Sequence, residues 1–312
     1  MMARTDRHCR FLLRLLAPNA WLYTEMITAL ALIRGDHQDL LRYDASEHPL
    51  ALQLGGSDPD ELARAARYGQ DAGYDEINLN VGCPSDRVQA GQFGAALMAS
   101  PGQVAAVVAA MSEAVDVPVT VKTRLGIDDR DSYEFLHDFV GAVSHSGCRT
   151  IIVHARKAWL NGLSPKENRE IPPLDYSRVH RLKADYPRLE IIINGGLTTE
   201  EQILEQLEYV DGVMLGRHAY QDPYLLARLD RILFVDVPLP SRETVLAAYL
   251  PYLENEMSTG TSLKTMTRHL MGLYAAQPGG RRWRRFLSEL PHGDKGLAAL
   301  RRHVGSTASL NY

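Results

Sequence analysis

The chain has 312 residues, 45% of them hydrophobic and 23% charged, a size and balance that exclude a single small module and a disordered chain and leave room for one large α/β domain with an appendage. Its three cysteines, Cys9, Cys83 and Cys148, are too few and too widely spaced for a disulfide framework or a Cys-x-x-Cys site, so no metal is expected and a reducing, cytoplasmic setting is. The net charge of −4 argues against a polyanionic partner for the whole chain, yet residues 241–312 carry ten Lys or Arg against five Asp or Glu, a basic end on an acidic body.

Residues 4–20 open with basic side chains and Phe11-Leu12-Leu13, superficially like a targeting peptide. Arg14 interrupts the apolar stretch, and the pattern reads better as an amphipathic first helix. No apolar run approaches the roughly 18 residues of a membrane span. Strand-like runs then recur at 22–27, 49–54, 75–80, 117–123, 150–154, 190–194 and 212–216, near-continuously apolar as parallel strands buried on both faces require. Helix signals separate them. Asp58-Pro59 opens a segment that stops near Gly73, Ser100-Pro101 gives a cap and first-turn proline, and Thr198 or Thr199 caps a third. Polar residues end nearly every strand: Gln53, Asn80 with Cys83, Lys122 with Arg124, His154, Asn194 and Arg217. A (β/α)8 TIM barrel gathers such ends on one face, where an open sheet scatters them. Only seven strands are found, because Met1 leads directly into the first helix; the first strand is expected to be missing from this chain. After about residue 235, with Pro238 and Pro240 marking a connection, four short helices form a small bundle with little core of its own.

Cys83 sits in Asn78-Leu79-Asn80-Val81-Gly82-Cys83-Pro84-Ser85, where a strand breaks into a tight turn. A thiol there reaches a substrate above the sheet; the alternative is a buried structural cysteine. Lys122, among apolar barrel residues, is either ion-paired or meets an anionic partner such as a reduced flavin. Asn194-Gly195-Gly196 and Leu215-Gly216-Arg217 are either ordinary turns or successive loops that cradle a phosphate. His154 and Gln53 taken alone are hydrogen-bonded strand ends. Gly279-Gly280-Arg281-Arg282-Trp283-Arg284-Arg285-Phe286 reads as aromatics inward with arginines, notably Arg282 and Arg285, directed to phosphates, or as a solvated helix face. Arg156, Lys157, Lys166 and Arg169 form a second basic set in the long loop after the His154 strand. Asn80 either caps the turn or bonds an extruded base.

Taken together, Tyr43, Glu47-His48-Pro49, Gln53-Leu54-Gly55-Gly56, residues 75–85, Val121-Lys122-Thr123-Arg124, His154-Ala155-Arg156, Asn194-Gly195-Gly196 and Leu215-Gly216-Arg217 resemble the tRNA-dihydrouridine synthases. The stretch 154–176, with Ser164-Pro165-Lys166-Glu167-Asn168-Arg169-Glu170, is similar to the subgroup acting at positions 20 and 20a of the D-loop. The resemblance implies an FMN-binding TIM-barrel catalytic domain over 1–235, a helical tRNA-binding domain over 236–312, NADPH as reductant, and tRNA as the partner; a monomer is expected. It further implies that Met1, Met2, Gln53, Lys122 and His154 lie at the flavin, that Asn194, Gly195, Gly196, Gly216 and Arg217 hold its phosphate end, and that Cys83 is the general acid. Ala3 and Arg4 depart from the family's usual opening. Two other readings remain at this point: a flavin barrel acting on a free pyrimidine, and a non-catalytic tRNA-binding protein whose incomplete barrel holds no flavin.

Overall fold

Asp58 accepts the Glu61 N–H and Pro59 starts the helix Pro59–Asp71, whose Leu62, Ala65 and Ala66 are buried. Gly69 lets this helix approach the sheet, since a Cβ there would come within 2.6 Å of Leu52 and Ile77. Thr199 and Gln202 form a reciprocal capping box at the start of Glu200–Leu207. Ser100 does not act as expected: its side chain makes no capping bond, and Pro101 alone opens Pro101–Ala114.

The computed structural model describes all residues except 86, 87, 89, 90, 235, 236 and 309–312, together with the side chains of 306–308. These residues fall into two units, one of Met1, Tyr23–Tyr43 and His48–Gly216, the other of Met2–Leu22, Asp44–Glu47 and Arg217–Tyr312. The expected boundary between residues 235 and 236 lies outside the described residues.

The first unit carries the sheet. The strands, all of the first unit except for Leu22, are β1 (Leu22–Tyr23), β2 (Ile27–Thr28), β3 (Leu50–Gly55), β4 (Glu76–Asn80), β5 (Val119–Arg124), β6 (Thr150–His154), β7 (Glu190–Asn194) and β8 (Gly212–Met214). They run in the order β1-β3-β4-β5-β6-β7-β8, with β2 also on β3. Pairing is parallel from β2 to β8, with helices between the strands, the α/β barrel architecture the sequence implies. The expected run 22–27 is one strand position in two pieces, broken where the Thr24 hydroxyl turns to the Glu25 carbonyl (2.8 Å) and accepts the Gln53 N–H (2.9 Å). Seven strand positions therefore hold, and among the described residues no strand joins β8 to β1. Register sets the polar strand ends side by side: Gln53 opposite Asn78, Asn80 opposite Lys122, Arg124 opposite His154, and His154 opposite Asn194.

The second unit overcomes the small core expected of the carboxyl-terminal helices by including the helix Arg7–Leu16. Phe11 stacks on Tyr252 at 3.9 Å, and the Tyr249 hydroxyl donates to the His8 carbonyl. Arg14, which broke the apolar run, is buried against the carbonyls of Glu47, Ala17 and Pro18. Arg10 pairs with the fully buried Glu47 at 2.6 Å. The helix Arg242–Ser258 continues five residues past its expected end at 253 despite the internal Pro251, because Tyr252, Leu253 and Glu256 are all buried. No helix among the described residues is long and apolar enough to cross a membrane.

His8 accepts the Tyr252 hydroxyl at 2.8 Å, and burial, helped by the Arg7 charge, lowers its pKa from 6.5 to about 4. A folded-state pKa below the unfolded value means that the unfolded chain binds the extra proton, so this stability is complete above pH 6.5 and is lost as the pH falls toward 4. Urea unfolding across this window should show a declining midpoint that flattens in His8→Gln. An unchanged pH slope in the variant would remove His8 as its source.

Candidate active site

At the carboxyl end of β4 the Asn80 carboxamide oxygen accepts the N–H groups of both Gly82 and Cys83 at 3.0 Å, so one side chain fixes two consecutive peptides. The Cys83 carbonyl accepts the Ala95 N–H at 2.9 Å. Gly94 makes that approach possible: its φ is +71°, and a Cβ would meet the Cys83 carbonyl oxygen at 2.5 Å. Cys83 is half-buried, with Sγ 3.5 Å from the Ser85 hydroxyl. Cys9 and Cys148 are buried, and burial pushes both thiols up to about 12, the signature of inert structural cysteines.

Asn80 caps the turn, and its amide group donates to Gln53 at 2.8 Å. Lys122 stands beside it in the β4–β5 register and donates to Asn194 at 3.3 Å. Burial, reinforced by the neighbouring Arg124 and opposed by Cys83, brings the Lys122 ammonium down to about 8. Among the described residues no carboxylate lies within ion-pair distance of it, so the salt-bridge alternative is not realised. Asn194 is held in turn by donating to the Met214 carbonyl at 2.7 Å.

Gly195 and Gly196 follow with φ of +119° and +73°. A Cβ on Gly195 would come within 2.6 Å of the His154 ring, and one on Gly196 within 2.3 Å of Leu174, so neither position accepts a side chain. A Cβ on Gly216 would meet only Met1 Sδ at 3.8 Å, which puts Met1 at that loop. Met2, 63% exposed, and Arg217, exposed at the start of Arg217–Gln221, belong to the second unit. In that unit Trp283 and Leu287 are buried, the indole donating to the Leu270 carbonyl at 2.8 Å. Arg282 and Arg285 are exposed, Arg285 in a solvated pair with Glu289. The aromatic side of that run is turned inward and the arginines are left to solvent, an arrangement common to both sequence alternatives.

Sequence reasoning passed over Arg124 as a site residue. It is 3% exposed and donates to the carbonyls of Gly82 (3.0 Å), Lys157 (3.1 Å) and Asn168 (2.9 Å), tying the cysteine turn to the long loop. A charge two residues beyond Lys122 in an apolar strand was the available signal, since such a group must be bonded once buried. Asn168 gave none: fully buried, it bonds Trp159 N–H and the carbonyls of Trp159 and Leu163, knotting the loop. The basic set of that loop divides accordingly. Lys157 pairs with Asp131 and Arg156 donates to Pro172, while Lys166 is exposed and Arg169 half-buried.

A parallel barrel-type sheet with a cysteine, a lysine, a histidine and amides at its strand ends defines a barrel enzyme. The sequence profile described as dihydrouridine synthase (Dus) matches residues 1–309, and this chain belongs to that family. Three relatives are named tRNA-dihydrouridine(20/20a) synthase: those of Shewanella oneidensis (58% identical over 293 residues, 94% of this chain and 87% of the relative), Vibrio cholerae (56%, 94% and 90%) and Escherichia coli K12 (57%, 94% and 85%).

Replacing Arg124 with Met leaves three carbonyls without their donor, at a cost on the order of 3 kcal/mol. The variant should unfold at lower urea and be cut faster by protease within 156–173. Unaltered protection of that loop would show that Arg124 does not hold it.

Proposed function

We propose that the protein reduces the C5=C6 bond of uridine at positions 20 and 20a of the tRNA D-loop, using FMN and NADPH, with Cys83 as general acid. The observation that carries the chemistry is the thiol's setting: half-buried, on a backbone pinned by Asn80 and Arg124, while the other two cysteines are sealed in apolar surroundings. The tRNA substrate rests on the relatives' names and on the arginines exposed along Gly280–Ser288.

The residues present fit an anionic, phosphorylated cofactor. Lys122 has a neutral amide rather than a carboxylate for a partner, and its lowered pKa is the mark of a buried cation short of a counter-charge. The Gly216 backbone is open on the side a Cβ would fill. Gln53, Lys122 and His154 would hold the ring, Asn194, Gly195, Gly196, Gly216 and Arg217 the phosphate end, with Met1 and Met2 beside the cofactor. When bound, reduced FMN supplies the hydride for uracil C6, and NADPH supplies its electrons.

Cys83 then supplies the other half of the addition, a proton to C5 from Sγ. Its fixed turn holds the donor on one side of the base, which orientation-dependent proton transfer requires. Lys122 stands opposite Asn80 in the β4–β5 register and Arg124 donates to the Gly82 carbonyl, so two cations border the cysteine turn. The uridine must leave its stack to reach a strand-end site. Phosphate contacts by Arg169, Arg282 and Arg285 would offset that cost. In this reading 1–235 is catalytic, 236–312 binds tRNA, and the enzyme works as a cytoplasmic monomer, a setting supported by its three free cysteines.

In Cys83→Ala, reduction of the flavin by NADPH should stay near wild type while dihydrouridine formation falls by roughly 10² to 10⁴. Equal loss of both activities, or loss of neither, would contradict the assignment; turnover of free uracil without tRNA would favour a pyrimidine reductase instead. Arg285→Ala should raise the KM for tRNA and flatten its salt dependence with kcat kept, and no change would return that helix to an ordinary solvated face.

A further inference from the structure

Four hydrogen bonds link five side chains in series inside the sheet of the first unit. Asn80 Nδ2 donates to Gln53 Oε1 (2.8 Å), Gln53 Nε2 to Asn78 Oδ1 (2.9 Å), Asn78 Nδ2 to Thr120 Oγ1 (2.7 Å), and Thr120 Oγ1 to Glu76 Oε1 (2.6 Å). Glu76 also bonds the Tyr23 phenol. Asn78, Thr120 and Glu76 are buried, so water does not replace a lost partner at little cost.

Every donor in the series points toward Glu76, and the two ends demand that direction independently. At the bottom Glu76 accepts the Thr120 hydroxyl; burial raises its pKa, and the bonds from Thr120 and Tyr23 oppose that and favour the accepting carboxylate. At the top the Asn80 oxygen must face the N–H groups of Gly82 and Cys83. Between them lie three carboxamides, each of which fills the same space when rotated by half a turn, so shape does not choose their orientation and hydrogen bonding does. A reversal at Asn78 would set its nitrogen against that of Gln53, force Gln53 over against Asn80, and end with the Asn80 amide facing two backbone donors.

We infer that Thr120 and Glu76 are positioning residues for Cys83, fixing through Asn78, Gln53 and Asn80 the carboxamide orientation that holds the cysteine turn. Neither is adjacent in sequence to the turn, and neither needs to touch substrate or cofactor to act. The consequence for catalysis rests on the reading of Cys83 as proton donor; the structural coupling does not.

The test is amide hydrogen exchange of Gly82 and Cys83, read by NMR in Thr120→Val, which keeps the shape and deletes the hydroxyl, and in Thr120→Ser, which restores it. Exchange at both amides should rise about tenfold in the valine variant and return toward wild type in the serine variant. Single-turnover uridine reduction should fall in the valine variant with the KM for tRNA unchanged. Unaltered exchange in Thr120→Val, or equal acceleration in Thr120→Ser, overturns the inference. Should Thr120→Val not fold, Glu76→Met is read the same way: the acceptor at the foot of the series is removed, and exchange as slow as wild type overturns the inference. Full activity in Cys83→Ala would instead sink the proton-donor reading while leaving the exchange result standing.

Discussion

The interior of this sheet is polar where barrels of parallel strands are ordinarily filled by branched apolar side chains, and the need to satisfy those buried polar groups governs the rest of the site. Amides and hydroxyls from β3, β4 and β5 meet that need among themselves, and the Asn80 oxygen at the top of the series spends its bonds on the Gly82 and Cys83 backbone. Arg124 meets it by binding three loop carbonyls. Lys122 has a neutral carboxamide for its partner, and the turn after the neighbouring strand carries the half-buried Cys83 thiol.

The strand pattern was legible because parallel strands buried on both faces leave apolar runs, and the strand-end residues because they interrupt those runs. Gln53, Asn80, Lys122, His154 and Asn194 are all found on neighbouring strands in register. The roles of these residues were less legible than their positions. The capping bonds of Asn80 to two backbone N–H groups could be placed only once the turn's geometry was seen. Arg124 and Asn168 act through carbonyls of segments distant in the chain, and contacts of that kind leave no local trace. Thr120 is a β-branched residue inside the run 117–123, and strand propensity alone assigns it no further role.

The grouping of the first helix with the carboxyl-terminal helices was hidden for a similar reason. Its amphipathic face predicts that it packs, not against what; the partners, Tyr249 and Tyr252, lie more than two hundred residues away. The basic excess after residue 240 resolves into a helix whose Trp283 and Leu287 face inward, leaving Arg282 and Arg285 to solvent.

The central claim is that uracil receives hydrogen from two sources on opposite sides, one of them the Cys83 sulfur. Running the reaction with reduced enzyme in heavy water and locating deuterium in the dihydrouridine tests it most directly. A deuterium at C5 on the face opposite the hydrogen added at C6 is predicted, whichever isotope the exchangeable N5–H of the reduced flavin passes to C6, and this face selection should be lost in Cys83→Ala. Addition of both hydrogens to the same face, or C5 labelled with unchanged rate and face in Cys83→Ala, would contradict it.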